Sequence, residues 1–307
     1  MMPGANRTMD TVLIEQVAKR FDTVDAVLDL SFGIRQGAVY GLLGPNGAGK
    51  TTTLRMMMRI LVPDQGSIRV FGEPLSDRTQ DQIGYLPEER GLYAKMHVRQ
   101  VLVFLGALKG LTEAEAGRRS TAWLERLDLG AWAEKEVNDL SKGMQQKVQF
   151  IAAVLHRPQL LILDEPFTGL DPLNAALIKD IMLELREQGS TIILSTHRME
   201  QVEMMCDSIC LINHGRKVLD GELRAIKKSY GKNTVRIEFS GSEDFLILPA
   251  VIESVNRHGA MVEAKLRPGG DAQEILRGAV ARGVEISRFE LVEPPLNDIF
   301  IEKVGHA

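Results

Sequence analysis

The run Gly44-Pro45-Asn46-Gly47-Ala48-Gly49-Lys50-Thr51 restricts the fold more than any other segment. A glycine-rich turn ending in Lys-Thr needs a strand to enter it and a helix to leave it. Both are present: Val39-Tyr40-Gly41-Leu42-Leu43 is an apolar strand, and Lys50 to Val62 is expected to be a helix stopped by Pro63. The glycines let backbone N–H groups turn inward around phosphates, and the helix N-terminus adds its positive dipole end. Lys50 would reach the β- and γ-phosphates and the Thr51 hydroxyl would ligate Mg²⁺. Gly44 to Thr51, with Thr52 beside them, are the expected nucleotide-binding residues. The pattern points to a nucleoside triphosphatase without saying which.

Strand-like runs alternate with helical stretches to about residue 229, which predicts a mostly parallel α/β sheet with crossover helices. Leu160-Leu161-Ile162-Leu163 and Thr191-Ile192-Ile193-Leu194 are continuous apolar runs, as in central strands covered on both faces. They end in Asp164-Glu165 and Ser195-Thr196-His197, and ligands of open α/β sheets bind at such strand ends. Between about 90 and 158 helical periodicity takes over, over Val98 to Leu108, Thr112 to Leu127 and Ser141 to Leu155, which reads as a helical subdomain inserted in the sheet. Thr112 with Glu115 is a capping-box start, and Pro158 closes the last helix. From Lys232 the texture changes to alternating strand, a hairpin about His258-Gly259, a helix near Ala272 to Ala281 and a strand near Val284 to Leu291. The expected organisation is a core over 10–229 and a small α+β domain over 232–307.

Charge narrows the partners. A net charge of −4 in 307 residues gives no support to a nucleic-acid-binding domain, which would be clearly basic. The local basic stretch Arg224, Lys227, Lys228, Lys232 and Arg236 reads as a solvated helix face and linker. Cys206 and Cys210 have no second ligand pair nearby, so free thiols in a reducing compartment are expected rather than a metal site. No apolar run is long enough to cross a bilayer, and the N-terminus lacks the apolar segment of a signal peptide. The chain therefore reads as cytosolic, with any membrane role arising through a partner.

Asp164 at its strand end can hold Mg²⁺, and the adjacent Glu165 can orient and deprotonate an attacking water. With the phosphate loop before them and Leu140-Ser141-Lys142-Gly143-Met144-Gln145-Gln146 between, the chain over about 10–229 resembles the ATP-binding subunits of ABC transporters. In that family the Ser and Gly of Leu-Ser-Gly-Gly-Gln contact the γ-phosphate held by the other subunit, which implies a homodimer in which Ser141 and Gly143 serve the partner's nucleotide. Lys142 and Met144 replace the commoner residues. Asp171 in Gly169-Leu170-Asp171-Pro172 resembles the residue that crosses the dimer interface, and His197 resembles the switch histidine that senses the γ-phosphate. Taken alone, His197 could equally be a hydrogen-bonded strand-end residue. Phe21 stands where the family stacks an aromatic ring on adenine, with a core phenylalanine as the rival reading.

One position departs from the family. Glu88 stands where a glutamine usually approaches Mg²⁺ and the attacking water. A carboxylate accepts but cannot donate. Either it strengthens metal coordination, or it pairs with Arg90 and gates activity when a membrane partner moves.

The resemblance implies a P-loop NTPase fold, ATP and Mg²⁺ as cofactors, catalysis by Glu165, His197 and Lys50, and metal contacts from Thr51, Asp164 and Glu88. It also implies an integral membrane permease as partner, which would place the chain at the cytoplasmic face of the membrane. Pro87-Glu88-Glu89-Arg90-Gly91-Leu92-Tyr93 and the ending Glu293-Pro294-Pro295-Leu296-Asn297-Asp298-Ile299-Phe300 resemble the bacterial branch tied to sodium, drug or antibiotic efflux, which carries a small accessory domain for regulation or dimer support. The rival is a soluble ABC ATPase acting on ribosomes or DNA. The single core and the absence of sustained heptads speak against it.

Overall fold

The computed structural model describes residues 10–89, 91–259 and 261–305. Its contacts divide the chain after Gly221 into two compact units.

The first unit opens with two long strands, β1 (Asp10–Phe21) and β2 (Val24–Arg35), which pair antiparallel. Their register breaks between Ile14 and Val17, where Gln16 adopts φ 50°, a bulge that re-aims the strand. β3 (Val39–Leu43) then leads into the phosphate loop and α1 (Lys50–Met57) leaves it. This helix ends short of the expected Val62, because the chain turns left-handed at Arg59 (φ 54°), whose guanidinium is held by Asp77 at 2.7 Å. β4 (Gln65–Val70) and β5 (Glu73–Pro74) complete a four-stranded sheet ordered β2-β1-β4-β5. This sheet is antiparallel and is additional to the mostly parallel sheet read from strand–helix alternation. Two-residue turns join β1 to β2 and β4 to β5, as only antiparallel pairs allow.

After α2 (Asp77–Gln80) and β6 (Ile83–Leu86) come three helices, α3 (Val98–Leu108), α4 (Glu113–Arg126) and α5 (Lys142–Val154). Thr112 caps α4 by accepting from Glu115 N at 3.3 Å, while the Glu115 carboxylate engages Arg119 one turn on. Ser141 caps α5 in the same way, accepting from Met144 N at 3.3 Å. Trp123 and Phe150 pack edge to face between α4 and α5, with ring centroids 6.5 Å apart.

β7 (Leu160–Asp164), α6 (Pro172–Glu187), β8 (Thr191–Thr196), α7 (Met199–Met205), β9 (Ser208–Asn213) and β10 (Arg216–Glu222) finish the unit. The second sheet runs β10-β9-β3-β8-β7-β6, and β9, β3, β8, β7 and β6 pair parallel. Every residue of β3, β7 and β8 is buried, as a sheet covered on both faces requires. Leu43 is in register with Thr196 and Asp164 with Ser195, so three neighbouring strands end side by side. Cys206 and Cys210 are buried free thiols whose pKa burial pushes up, so they are poor nucleophiles.

The second unit contains α8 (Leu223–Ser229), β11 (Thr234–Ser240), β12 (Ile252–His258), β13 (Met261–Leu266), α9 (Ala272–Ala281), β14 (Glu285–Val292) and α10 (Leu296–Gly305). α8, placed by sequence at the end of the core, belongs to this unit by its contacts. The antiparallel sheet is ordered β12-β13-β11-β14 and packs Val235, Ile237, Val262 and Ala264 against Phe245 and Ile275. Arg236, read among solvated basic residues, instead lies in β11 and pairs with the buried Glu263 at 2.7 Å. A cleft of about 940 Å³ in this unit includes Glu253, Lys265 and Glu302, but Lys265 already sits between the two carboxylates at 3.3 and 3.9 Å. Size alone does not make it the chemical site.

Candidate nucleotide site

The phosphate loop depends on glycine at two contacts. At Gly44 (φ 151°) a Cβ would lie 2.1 Å from the Ile212 carbonyl oxygen, and at Gly49 (φ 106°) it would lie 2.4 Å from that of Ala26. The loop is thus pressed between β9 and β2, and only a residue without a side chain fits either contact. A cleft of about 530 Å³ opens over it. Asn46, Gly47, Gly49, Lys50, Thr51, Thr52, Glu88, Asp164 and Glu165 line this cleft, so most residues chosen from sequence converge there.

Lys50 is 7% exposed, and its ammonium donates to the Gly44 and Pro45 carbonyls at 2.8 and 3.0 Å. Burial lowers its pKa, and the charges of Glu165, Asp164 and Glu88 pull it back up. Among the described residues its hydrogen bonds go to carbonyl dipoles and not to a carboxylate, which leaves its charge available to an anionic ligand. Thr51 donates its hydroxyl to Asp164 Oδ2 at 2.8 Å. Asp164 is 1% exposed, and burial, with the charge of Glu165, raises its pKa against the pull of the Ser195 and Thr51 hydroxyls and of Lys50. Its other oxygen, Oδ1, is buried without a hydrogen bond among the described residues. An orphaned carboxylate oxygen beside a hydroxyl suits a hard divalent cation. No group of three or more His, Cys, Asp or Glu side chains among the described residues could hold a metal, so phosphate and water oxygens would have to complete its shell.

Glu165 is buried and its backbone is left-handed, at φ 49°. The end of β8 grips its carboxylate. His197 N–H donates to Oε1 at 3.0 Å, the His197 ring places Nδ1 2.6 Å from the same oxygen, and Thr196 donates to Oε2 at 3.2 Å. His197 is thus hydrogen-bonded at the strand end, its side chain 49% exposed while it holds Glu165. From the other side, Gln146 in α5 donates to the Pro166 carbonyl at 3.0 Å.

Other selected residues stand apart. Ser141 and Gly143 are not among the described lining of the cleft, and a Cβ on Gly143 would lie 3.0 Å from the Gly169 carbonyl oxygen. Asp171 caps α6, accepting from Asn174 N at 2.9 Å, and this bond chiefly lowers its pKa. Phe21, at the end of β1, is 41% exposed with the Lys19 ammonium 5.6 Å from its ring centroid, which removes the core reading. Glu88 is exposed at the cleft, and its expected partner Arg90 lies outside the described residues. Sequence reasoning missed Asp25, Ala26 and His214 in the lining. The turn at His214-Gly215 is bonded to the loop, Gly215 N donating to Ala48 O at 3.0 Å, and only the small turn residue Gly215 hinted at it.

A glycine-shaped phosphate loop, a buried lysine and two consecutive carboxylates at the end of β7 define a P-loop nucleoside triphosphatase. Comparison with known proteins narrows this further. The family described as ABC transporter matches residues 27–168, and the family described as ATP-binding protein DrrA1-3-like, C-terminal domain, matches residues 221–304. An uncharacterized ABC transporter ATP-binding protein, YhaQ of Bacillus subtilis, is 46% identical over 292 residues, covering 95% of this chain and 98% of the relative. The linearmycin resistance ATP-binding protein LnrL of the same organism is 32% identical, covering 95% and 97%. The Nod factor export ATP-binding protein I of Rhizobium sp. is 35% identical, covering 94% and 95%. A solved ATP-binding subunit of an ABC transporter superposes with a TM-score of 0.67 at 32% identity, over 72% of this chain and 93% of that one. The chain belongs to the ABC transporter family, as an ATP-binding, ATP-hydrolysing subunit. None of these relatives is described as acting on ribosomes or DNA.

Proposed function

We propose that two copies of this chain close head to tail on two ATP molecules and that the cycle of closure and release drives export through a separate membrane permease. The observation that carries this reading is the separation within one chain: Lys50, Thr51, Asp164 and Glu165 line the cleft, while Ser141 and Gly143 lie outside its described lining. A second copy would bring its own Ser141-Lys142-Gly143 turn to the open side of the nucleotide. The capped start of α5 would present unpaired backbone N–H groups to the γ-phosphate.

Within this scheme Lys50 binds the β- and γ-phosphates, the loop from Gly44 to Thr52 cradles them, and Phe21 stacks on the base. Glu165 accepts the proton of the attacking water at its carboxylate, and His197 orients that carboxylate through Oε1. Asp171 helps shape the interface. Thr51 and Asp164 would hold Mg²⁺, with Glu88 as a further contact, and the ion would draw negative charge off the phosphates. Export is supported by the DrrA-like second domain and by the Nod factor export relative. No helix among the described residues is long and apolar enough to cross a membrane, so attachment at the cytoplasmic face would come through the permease. The second domain, over 232–307 in the sequence reading, would support regulation or dimerisation.

Glu165→Gln tests the scheme. It should bind ATP, hydrolyse it at least about 100-fold more slowly, and accumulate as an ATP-bound dimer in size-exclusion chromatography. A variant that stays monomeric with ATP at high protein concentration would defeat the two-copy reading.

A further inference from the structure

The strand that ends beside Glu165 does more than supply His197. Three successive residues of this segment bind Glu165 in three different ways. The Ser195 carbonyl accepts from the Glu165 N–H at 2.9 Å, the Thr196 hydroxyl meets Oε2 at 3.2 Å, and His197 meets Oε1 through both its backbone and its ring. Each carboxylate oxygen is therefore held separately. His197 alone would fix one oxygen and leave the group free to swing about it.

The direction of the Thr196 hydrogen bond is determined by its surroundings. Thr196 is 0% exposed, and its Oγ1 accepts from Arg198 N at 3.1 Å. With that N–H directed at the oxygen, the single hydroxyl proton is available for Glu165 Oε2, an acceptor when ionised. The bond is buried, so no water competes for the Thr196 hydroxyl or for the oxygen it holds. It also opposes a local cost, because Glu165 occupies left-handed backbone, where a residue with a Cβ is disfavoured.

We infer that Thr196 is a positioning residue for hydrolysis, its hydroxyl holding Glu165 Oε2 so that Oε1, shared with His197, keeps one orientation towards the attacking water. The inference rests on the reading of Glu165 as the base. Thr196 itself touches no substrate. Removing its hydroxyl lets the carboxylate rotate, and small displacements of a reacting group cost large factors in rate. Nucleotide affinity, set by the loop and Lys50, stays as it was.

The test is steady-state hydrolysis by the full-length chain with Mg²⁺ and ATP. Thr196→Val preserves shape and removes the donor, and should lower kcat by about tenfold or more with KM for ATP within about twofold. Thr196→Ser, which restores the hydroxyl, should recover kcat to within about threefold. If the valine variant does not fold, Thr196→Ala against Thr196→Ser carries the comparison, since both lose the methyl and only serine keeps the hydroxyl. Equal losses in the alanine and serine variants, or a valine variant with unchanged kcat, overturn the inference. Glu165→Gln run alongside separates the two claims: if it hydrolyses ATP normally the reading of Glu165 has failed, and if it is inactive while Thr196→Val is fully active only the role of Thr196 has failed.

Discussion

The side-chain amide of Gln146 donates to the Pro166 carbonyl oxygen at 3.0 Å, joining the helix that begins at Ser141 to the loop that carries Glu165. Both partners are buried. One hydrogen bond thus ties the first turns of α5 to the residue after Glu165. Gln146→Leu fills the space but leaves the carbonyl unpaired, which should cost about 1–3 kcal/mol. Thermal denaturation would read that loss, and ATP hydrolysis should fall in kcat more than in KM. A variant as stable and active as the parent would show that the bond carries nothing.

Gly49→Ala should weaken nucleotide binding without requiring any loss of charge. The added Cβ would lie 2.4 Å from the Ala26 carbonyl oxygen, and a φ of 106° already disfavours alanine. Either β2 or the phosphate loop must shift, and the backbone N–H groups would no longer converge. Equilibrium binding of a fluorescent ATP analogue is expected to weaken by about tenfold or more, an energy of about 1.4 kcal/mol. Binding within twofold of the parent would mean that the loop tolerates the displacement.

The cleft was legible in sequence because its chemistry lies in contiguous runs at strand ends, the phosphate loop through Thr52 and Asp164-Glu165, with His197 behind Glu165. The caps of α4 and α5 were legible for the same local reason, Thr112 and Ser141 each standing three residues before the N–H they accept. Pairing between distant segments was not. The antiparallel β1–β2 sheet shares its apolar spacing with any half-buried strand, and His214 reaches the cleft only because the Gly215 turn bonds to Ala48. Sequence placed Thr196 at a polar strand end, but the hydrogen bonds of its hydroxyl to Arg198 N and Glu165 depend on the fold.

Glu88 should govern coupling more than nucleotide affinity. It is exposed at the cleft mouth and contributes a charge felt by Lys50, but the loop and Thr51 supply the closer phosphate contacts. Glu88→Gln keeps the size and removes the charge. ATP affinity of the isolated chain should change by no more than about threefold, under 1 kcal/mol. The stimulation of hydrolysis by the permease in a reconstituted complex should differ from that of the parent. Unchanged stimulation would leave Glu88 without a coupling role.

Acid should destabilise the first unit through His156. This imidazole lies at the end of α5, with Nε2 3.2 Å from the Ile83 carbonyl oxygen and Nδ1 buried without a hydrogen bond. Burial lowers its pKa to about 4, helped by the nearby cations Lys109 and Arg119 and opposed by the Ile83 carbonyl and Asp81. The sign follows from the neutral form being the folded one. Above the unfolded value of about 6.5 neither state binds the proton, and the residue adds no pH dependence. As pH falls from about 6.5 to about 4 the unfolded chain takes up a proton that the folded chain refuses, and stability drops by at most about 3 kcal/mol. His156→Gln retains an amide donor for Ile83 and cannot titrate, so urea denaturation between pH 7 and pH 4 should show a shallower loss than in the parent. Parallel stability curves for the two proteins would place the acid sensitivity elsewhere.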